Sequence, residues 1–233
     1  MKKYLLSTLA DGICVVLLSV CPILCYASAF SVKLESSVLI MAAVLFSIVF
    51  SLLSAFVKNN LKYALCMTVI AFVAFLVFVF ANERIFAQAN YAINKLLELY
   101  SVYLSVYSNI KFASYIANDA TGFFVLLSLI LNGLFSFLIS RIKSIKIAGL
   151  LSIALLVPCF VLVNTLPDLV PLLIIFTVLF ALYFSSQTRQ LNYAHSGVIT
   201  AVCAVILAVL ITVLAVINPV ADYERPKWQD NML

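Results

Sequence analysis

Long apolar segments alternate with short polar links along almost the whole chain. Each apolar segment is close to the length of about 20 residues that a helix needs to cross a bilayer. The pattern predicts an all-α fold, a polytopic transmembrane helical bundle within residues 1–217. We expect seven spans, at residues 13–30, 37–57, 63–81, 121–139, 147–163, 169–184 and 197–217. Because residues 169–184 form the shortest segment, six spans with a partly re-entrant pair is the alternative.

Residues 82–120 are the one long interruption of this pattern. Apolar residues recur there at steps of three or four, which is the period of an amphipathic helix. Five of the eleven tyrosines lie in this segment, and tyrosine is enriched where a membrane meets water. Its basic and acidic residues are equal in number, whereas a helix that binds anionic lipid is rich in lysine and arginine. The sequence therefore predicts an external amphipathic helix between spans 3 and 4, along the interface or capping the bundle.

The composition supports placement in a lipid bilayer. Hydrophobic residues make up 66% of the chain and charged residues 10%, against about 45–50% and about 25% in soluble domains. The net charge of +5 does not indicate nucleic-acid binding, because the basic residues stand at the ends of apolar segments rather than in a dense cluster. We expect the bilayer as the main partner and no nucleic acid.

The charged residues predict an orientation. Alternate ends of the spans carry eight basic residues and no acidic one in the connecting loops: Lys2, Lys3, Lys58, Lys62, Arg141, Lys143, Lys146 and Arg189. The opposite ends hold six basic and eight acidic residues. Since cytoplasmic loops are enriched in lysine and arginine, the sequence predicts a multi-pass cell-membrane protein with a cytoplasmic N-terminus and an extracytoplasmic C-terminus. A cleaved signal peptide at residues 1–29 is the alternative to a first span.

Catalytic chemistry has no sequence support. None of the predicted spans carries an ionisable residue near its centre, and such residues mark proton relays and ion paths in transporters. His195 is the only histidine, and the six cysteines lie inside apolar segments without a CxxC pair. We therefore predict no catalytic residue, no cofactor and no metal site in this chain.

Two membrane stretches stand out as structural candidates. Asn132 lies in the fourth span with serines four residues to either side, and an amide in lipid usually hydrogen-bonds a neighbouring helix. Pro158, Pro167 and Pro171 punctuate the hairpin between the fifth and sixth spans. Prolines end or break helices, and broken helices also build transport sites. Contact with a solute is the alternative at both places.

Residues 218–233 form a polar, turn-rich segment that is predicted to be an extracytoplasmic tail or linker. Trp228, the only tryptophan, suits an anchor at the headgroup level. Four features follow one another in a characteristic order along the chain: the short first hairpin, the helical segment after the third span, the proline-rich hairpin and the exit around Trp228. This order resembles the N-terminal membrane region of bacterial membrane-anchored transglutaminase-like proteins.

The resemblance implies a non-catalytic membrane anchor for an extracytoplasmic domain of papain-like fold. In that family the catalytic residues belong to the domain that follows the membrane region, and no residue of this chain corresponds to them. A small-solute transporter, or a membrane subunit that binds an envelope protein, is the alternative function.

Overall fold

The computed structural model describes residues 2–57, 59–80, 82–104, 117–142, 144–161 and 167–190. Within these residues the fold is all-helical, as the apolar pattern predicts. The helices are α1 (Lys2–Ala29), α2 (Ser36–Phe56), α3 (Asn60–Phe80), α4 (Asn82–Leu104), α5 (Thr121–Ser136), α6 (Ile145–Val161) and α7 (Leu169–Gln190). A π-helical stretch, Phe137–Ile142, continues α5.

Three helical segments are long and apolar enough to cross a membrane: Asp11–Ala29, Ser36–Ser54 and Thr121–Ser140. The apolar helical segments at Asn60–Ala74, Ile145–Phe160 and Leu169–Phe184 are shorter. Each of the six overlaps one of the predicted spans. The seventh predicted span, residues 197–217, lies outside the described residues, and so do His195 and Trp228.

The core of the first compact unit, Met1–Leu179, forms where α1, α2 and α5 pack together. Leu18, Phe50 and Phe135 are almost completely buried there. The Ser47 hydroxyl of α2 donates a 3.0 Å hydrogen bond to the Gly12 carbonyl of α1.

The second unit begins at Phe180, and the part of it that is described is the end of α7. The Phe180 and Phe184 rings stack with centroids 6.5 Å apart, and the Tyr183 ring meets the Phe184 ring edge-on at 6.1 Å.

The prolines differ in how they shape the backbone. Pro22 and Pro158 lie inside α1 and α6, where each removes one main-chain donor. Pro167 is buried just before α7, and Pro171 is buried in the first turn of that helix. A proline in a first turn is compatible with helix geometry, because main-chain N–H groups there have no acceptor within the helix.

Candidate functional site

Two groups of polar contacts distinguish this bundle, one in its core and one at its end. The core group centres on Asn132 of α5, which is completely buried together with Ser19 and Ser128. The Asn132 amide donates to the Ser19 hydroxyl of α1 at 2.8 Å and to the Ser128 carbonyl at 2.9 Å. The first bond joins two helices, and the second secures the amide to its own helix.

The hydroxyl hydrogens of this group are used within each helix. Ser19 donates to the Val16 carbonyl at 2.9 Å, and Ser128 donates to the Val125 carbonyl at 2.8 Å. Asn132 Oδ1 has no hydrogen-bond partner among the described residues. An unmade hydrogen bond at a buried group costs about 1–3 kcal/mol, so this oxygen is the most conspicuous polar atom of the core.

A second buried contact in the core links α5 to α3. The hydroxyls of Tyr63 and Ser136 are 3.1 Å apart, and Tyr63 is fully buried. The Tyr63 ring stacks on Phe137 with centroids 5.9 Å apart. Ser136 is four residues after Asn132, so one face of α5 carries both of these interhelical contacts.

The polar contacts at the end of the bundle hold α4 against the start of α5. Ala120, the N-cap residue of α5, makes no side-chain capping hydrogen bond. Gln88 of α4 supplies one instead: its Oε1 accepts a 3.0 Å hydrogen bond from the Phe123 main-chain N–H, and its Nε2 donates to Asp119 at 3.3 Å. The acceptor for a first-turn N–H group is usually the side chain of the N-cap residue. For the Phe123 N–H it is instead a side chain of another helix, α4.

The segment between α1 and α2 joins the same contacts. The Lys33 carbonyl accepts a 3.1 Å hydrogen bond from Ala120, and the Glu35 N–H donates to Thr121 Oγ1 at 3.1 Å. The Tyr26 hydroxyl, close to the C-terminal end of α1, donates to the Ala92 carbonyl at 3.4 Å. We call this end, formed by residues 26–35, α4 and residues 119–123, the capped end of the bundle.

Three faces can be distinguished on α4. One is buried and contains Gln88, Ala89 and Ala92. A second is apolar and partly exposed, with Phe86 at 46% and Ile93 at 39% exposure, two turns apart. The third is polar and exposed, with Arg84 and Glu98.

This arrangement differs from a simple division into an apolar and a polar face, because Gln88 belongs to the buried face and Ile93 does not. On the exposed side, Lys95 Nζ is 2.9 Å from Glu98 Oε2. The hydrogen bond and the charge of Glu98 raise the pKa of Lys95 above its ordinary value.

The other candidate residues do not meet in one site in the described part of the chain. Pro158, Pro167 and Pro171 lie in or beside α6 and α7. Cys21, Cys25 and Cys159 are buried free thiols, and no group of three or more metal-ligating side chains forms among the described residues.

Sequence reasoning identified Asn132 but missed its partner Ser19 and the capping role of Gln88. The chemistry of both polar groups is hydrogen bonding between helices. Comparison of the chain with protein-family models, with curated proteins and with solved structures gives no match.

Proposed function

We propose that this protein is a non-catalytic, multi-pass membrane anchor that presents α4 on the extracytoplasmic side of the bilayer. The observation that carries the proposal is the position of the α4 contacts. Its hydrogen bonds reach the C-terminal end of α1 through Tyr26 and the N-terminal end of α5 through Phe123. These two helix ends lie together at the capped end of the bundle.

Contacts at helix ends fit a helix that lies across a bundle rather than one that crosses the membrane beside it. A spanning helix would form contacts along the length of its neighbours. The three faces of α4 fit the same position, because a helix at the membrane surface touches protein, acyl chains and water. The exposed Lys95–Glu98 pair belongs on the water side.

The orientation rests on the distribution of charge along the chain. With the N-terminus cytoplasmic, the capped end faces outward, together with Glu35, Asp119 and Asp168. The loops at the other end of the bundle carry Lys58, Lys146 and their basic neighbours. Such a bias toward lysine and arginine is the usual determinant of membrane orientation.

The expected partner is an extracytoplasmic domain of transglutaminase-like or protease-like fold, the class that the sequence resemblance implies. The polar face of α4 is the surface on which such a domain would rest. A photo-crosslinking residue in place of Glu98, on the polar face, is expected to capture that domain. Crosslinks from position 98 only to lipid and to the bundle itself would refute this partner.

Reporter insertion tests the orientation. Alkaline phosphatase, which is active only outside the cytoplasm, is expected to be active when inserted after Asn118, an exposed residue just before α5, and when fused after Leu233. The same reporter after Lys146 is expected to be inactive. The reverse pattern, or equal activity at Asn118 and Lys146, would exclude the proposed topology.

A small-solute transporter is the second candidate function, and the unpartnered Asn132 Oδ1 is the observation that favours it. Polar groups near the middle of a membrane form solute sites in transporters. In this case Asn132→Leu abolishes solute uptake by proteoliposomes while Thr68→Ala, at an exposed helix position, leaves it unchanged. Equal uptake by the unaltered protein and Asn132→Leu would exclude Asn132 as a solute contact.

A further inference from the structure

We propose that Ala27, Ser28 and Ala29 form a cleavage site for a signal peptidase, and that folding of the capped end closes this site. A signal peptidase is a membrane-bound endopeptidase that cuts after a small residue at the end of an apolar stretch. In the assembled protein α1 therefore stays part of the chain. In chains whose capped end has not formed, the same site is open.

The sequence before the site has the order that such a peptidase recognises. Lys2 and Lys3 supply a positive start, an apolar stretch follows from residue 13, and small residues stand at positions 27 and 29. The reaction hydrolyses the peptide bond between Ala29 and Phe30. One water molecule supplies the hydroxyl of the new Ala29 carboxyl group and a hydrogen of the new Phe30 amine.

The main chain of the site is held by the way in which α1 ends. The Val32 N–H donates to the Ala27 carbonyl at 2.9 Å, and the Ser31 N–H donates to the Ser28 carbonyl at 3.3 Å. Ser31 has a φ of 52°, so these bonds form the Schellman motif that commonly ends a helix. A protein that binds a peptide as an added strand pairs with extended main-chain groups. The carbonyls of residues 27 and 28 are not available for such pairing.

The side chains around the scissile bond are buried. Ala29 and Phe30, on its two sides, are 1% and 0% exposed. Ala27 and Val32 are buried as well, and the Phe30 ring centroid lies 4.5 Å from that of Tyr26. The two small side chains that a signal peptidase has to bind therefore pack inside the bundle. Cleavage requires local opening of this end of α1.

Contacts with later parts of the chain oppose this opening. The Tyr26 hydroxyl donates to the Ala92 carbonyl of α4 at 3.4 Å. The Asp168 N–H, just before α7, donates to Ser28 Oγ at 2.9 Å. Neither bond can form until the chain has been made as far as its second partner. Closure of the site is thus linked to assembly of the capped end.

Cleavage after Ala29 would remove a helix on which the core depends. A cut chain loses Leu18, and it loses Ser19, which accepts the hydrogen bond from Asn132. Assembled chains keep α1, whereas chains that fail to assemble lose it irreversibly. In the cell this rests on the proposed function in one respect, because the capped end has to face the extracytoplasmic side on which signal peptidases act.

Digestion of the purified full-length protein by purified signal peptidase in detergent micelles tests the site. Intact mass and N-terminal sequencing identify the cut. We expect the unaltered protein to begin with α1 and to resist the enzyme. Proline cannot adopt the φ of Ser31 and has no N–H to donate. Ser31→Pro should therefore be cut after Ala29 about tenfold faster, the factor given by an opening free energy lower by about 1.4 kcal/mol.

Two further variants separate this site from general instability. Ala29→Leu added to Ser31→Pro should abolish the cut, because the position before the scissile bond requires a small side chain. Tyr63→Ala removes the buried contact with Ser136 at the opposite end of α5. It should resist the peptidase as well as the unaltered protein does, since it leaves the capped end intact.

Each arm can overturn the proposal. An unaltered protein that begins at Phe30, or that is cut as fast as Ser31→Pro, would show that folding does not close the site. An uncut Ser31→Pro would show that the site is not a substrate. Equal cutting of Tyr63→Ala and Ser31→Pro would remove the role of the capped end. Micelles have no inner and outer side, so these results are independent of the reporter test of orientation.

Discussion

Asn132 on α5 and Ser19 on α1 are 113 positions apart in the chain and share a 2.8 Å hydrogen bond in the buried core. Neither side chain can reach water. The bond therefore sets the rotation of α5 relative to α1, because turning either helix would bury both partners without their hydrogen bond. The apolar contacts around it are less selective for one rotation.

Replacement of Ser19 by alanine tests this bond. Ser19→Ala leaves one amide hydrogen of Asn132 without its acceptor on α1. Asn132→Leu removes the amide and its unmet oxygen together. We expect the double variant to be less destabilised than the sum of the two single variants, with a coupling of about 0.6 kcal/mol and at most about 1.7 kcal/mol.

Reversible unfolding of the reconstituted protein in increasing concentrations of a denaturing detergent measures these free energies of unfolding. Thr68→Ala is the matched control, since its hydroxyl bonds only the Ala64 carbonyl of its own helix at an exposed position. A Thr68→Ala variant as destabilised as Ser19→Ala, or strictly additive effects at Ser19 and Asn132, would contradict the predicted link.

Gln88 and Gly122 provide a test of the capped end. A Cβ at Gly122 would lie 2.6 Å from Gln88 Oε1, so Gly122→Ala displaces the amide that accepts from Phe123. Gln88→Leu removes the same acceptor directly. Each change is expected to cost about 1 kcal/mol, the usual value of an N-terminal helix cap, and their effects are expected not to add.

Hydrogen exchange at the first turn of α5 locates this effect. Exchange of the Phe123 amide should accelerate in both variants, whereas exchange at the centre of α5 should not change. Asn90→Ala, at a position of α4 between the apolar and polar faces, is the control and leaves Phe123 protected. Unchanged protection in Gln88→Leu would mean that the hydrogen bond does not stabilise the start of α5.

These two sites separate what the sequence predicts from what it does not. Apolar segments of spanning length predicted the helices. A backbone in lipid has no water to bond, so each segment must pair its own N–H and C=O groups, as an α-helix does. Asn132 was recognisable as a rare polar residue in an apolar segment. Its partner was not, because the residue that faces it depends on the rotation of two helices distant in sequence. Gln88 could not be predicted for another reason. A polar residue of an amphipathic helix is expected to face water, but the Gln88 side chain lies on the buried face, where it caps α5.

The Lys95–Glu98 pair predicts a small loss of stability at alkaline pH. Glu98 raises the pKa of Lys95 above its ordinary value of 10.5, so the folded protein holds the proton more tightly than the unfolded chain does. The contribution is present at neutral pH and disappears as pH rises through the raised pKa. Because both side chains are well exposed, we expect no more than about 0.5 kcal/mol.

Denaturant unfolding at neutral pH and above pH 10.5 compares the unaltered protein with Glu98→Gln. The variant lacks the acceptor charge, so its alkaline loss of stability should be smaller by the contribution of the pair. Added salt should reduce the difference, since it screens exposed charges. A larger alkaline loss in Glu98→Gln than in the unaltered protein would reverse the predicted sign.

The three faces of α4 predict how deeply its side chains enter the membrane. Phe86 and Ile93 are partly exposed on the apolar face, so a tryptophan at either position should reach the acyl chains just below the headgroups. In a Trp228→Phe background, Phe86→Trp and Ile93→Trp are expected to emit at shorter wavelength than the control Glu98→Trp on the polar face. Lipids brominated near the headgroup should quench the first two and leave the control bright, because aromatic side chains of a surface helix enter about 5–10 Å into the boundary.

Equal quenching of all three tryptophans would remove the distinction between the faces. Strongest quenching from bromine at the bilayer centre would instead show that α4 spans the membrane.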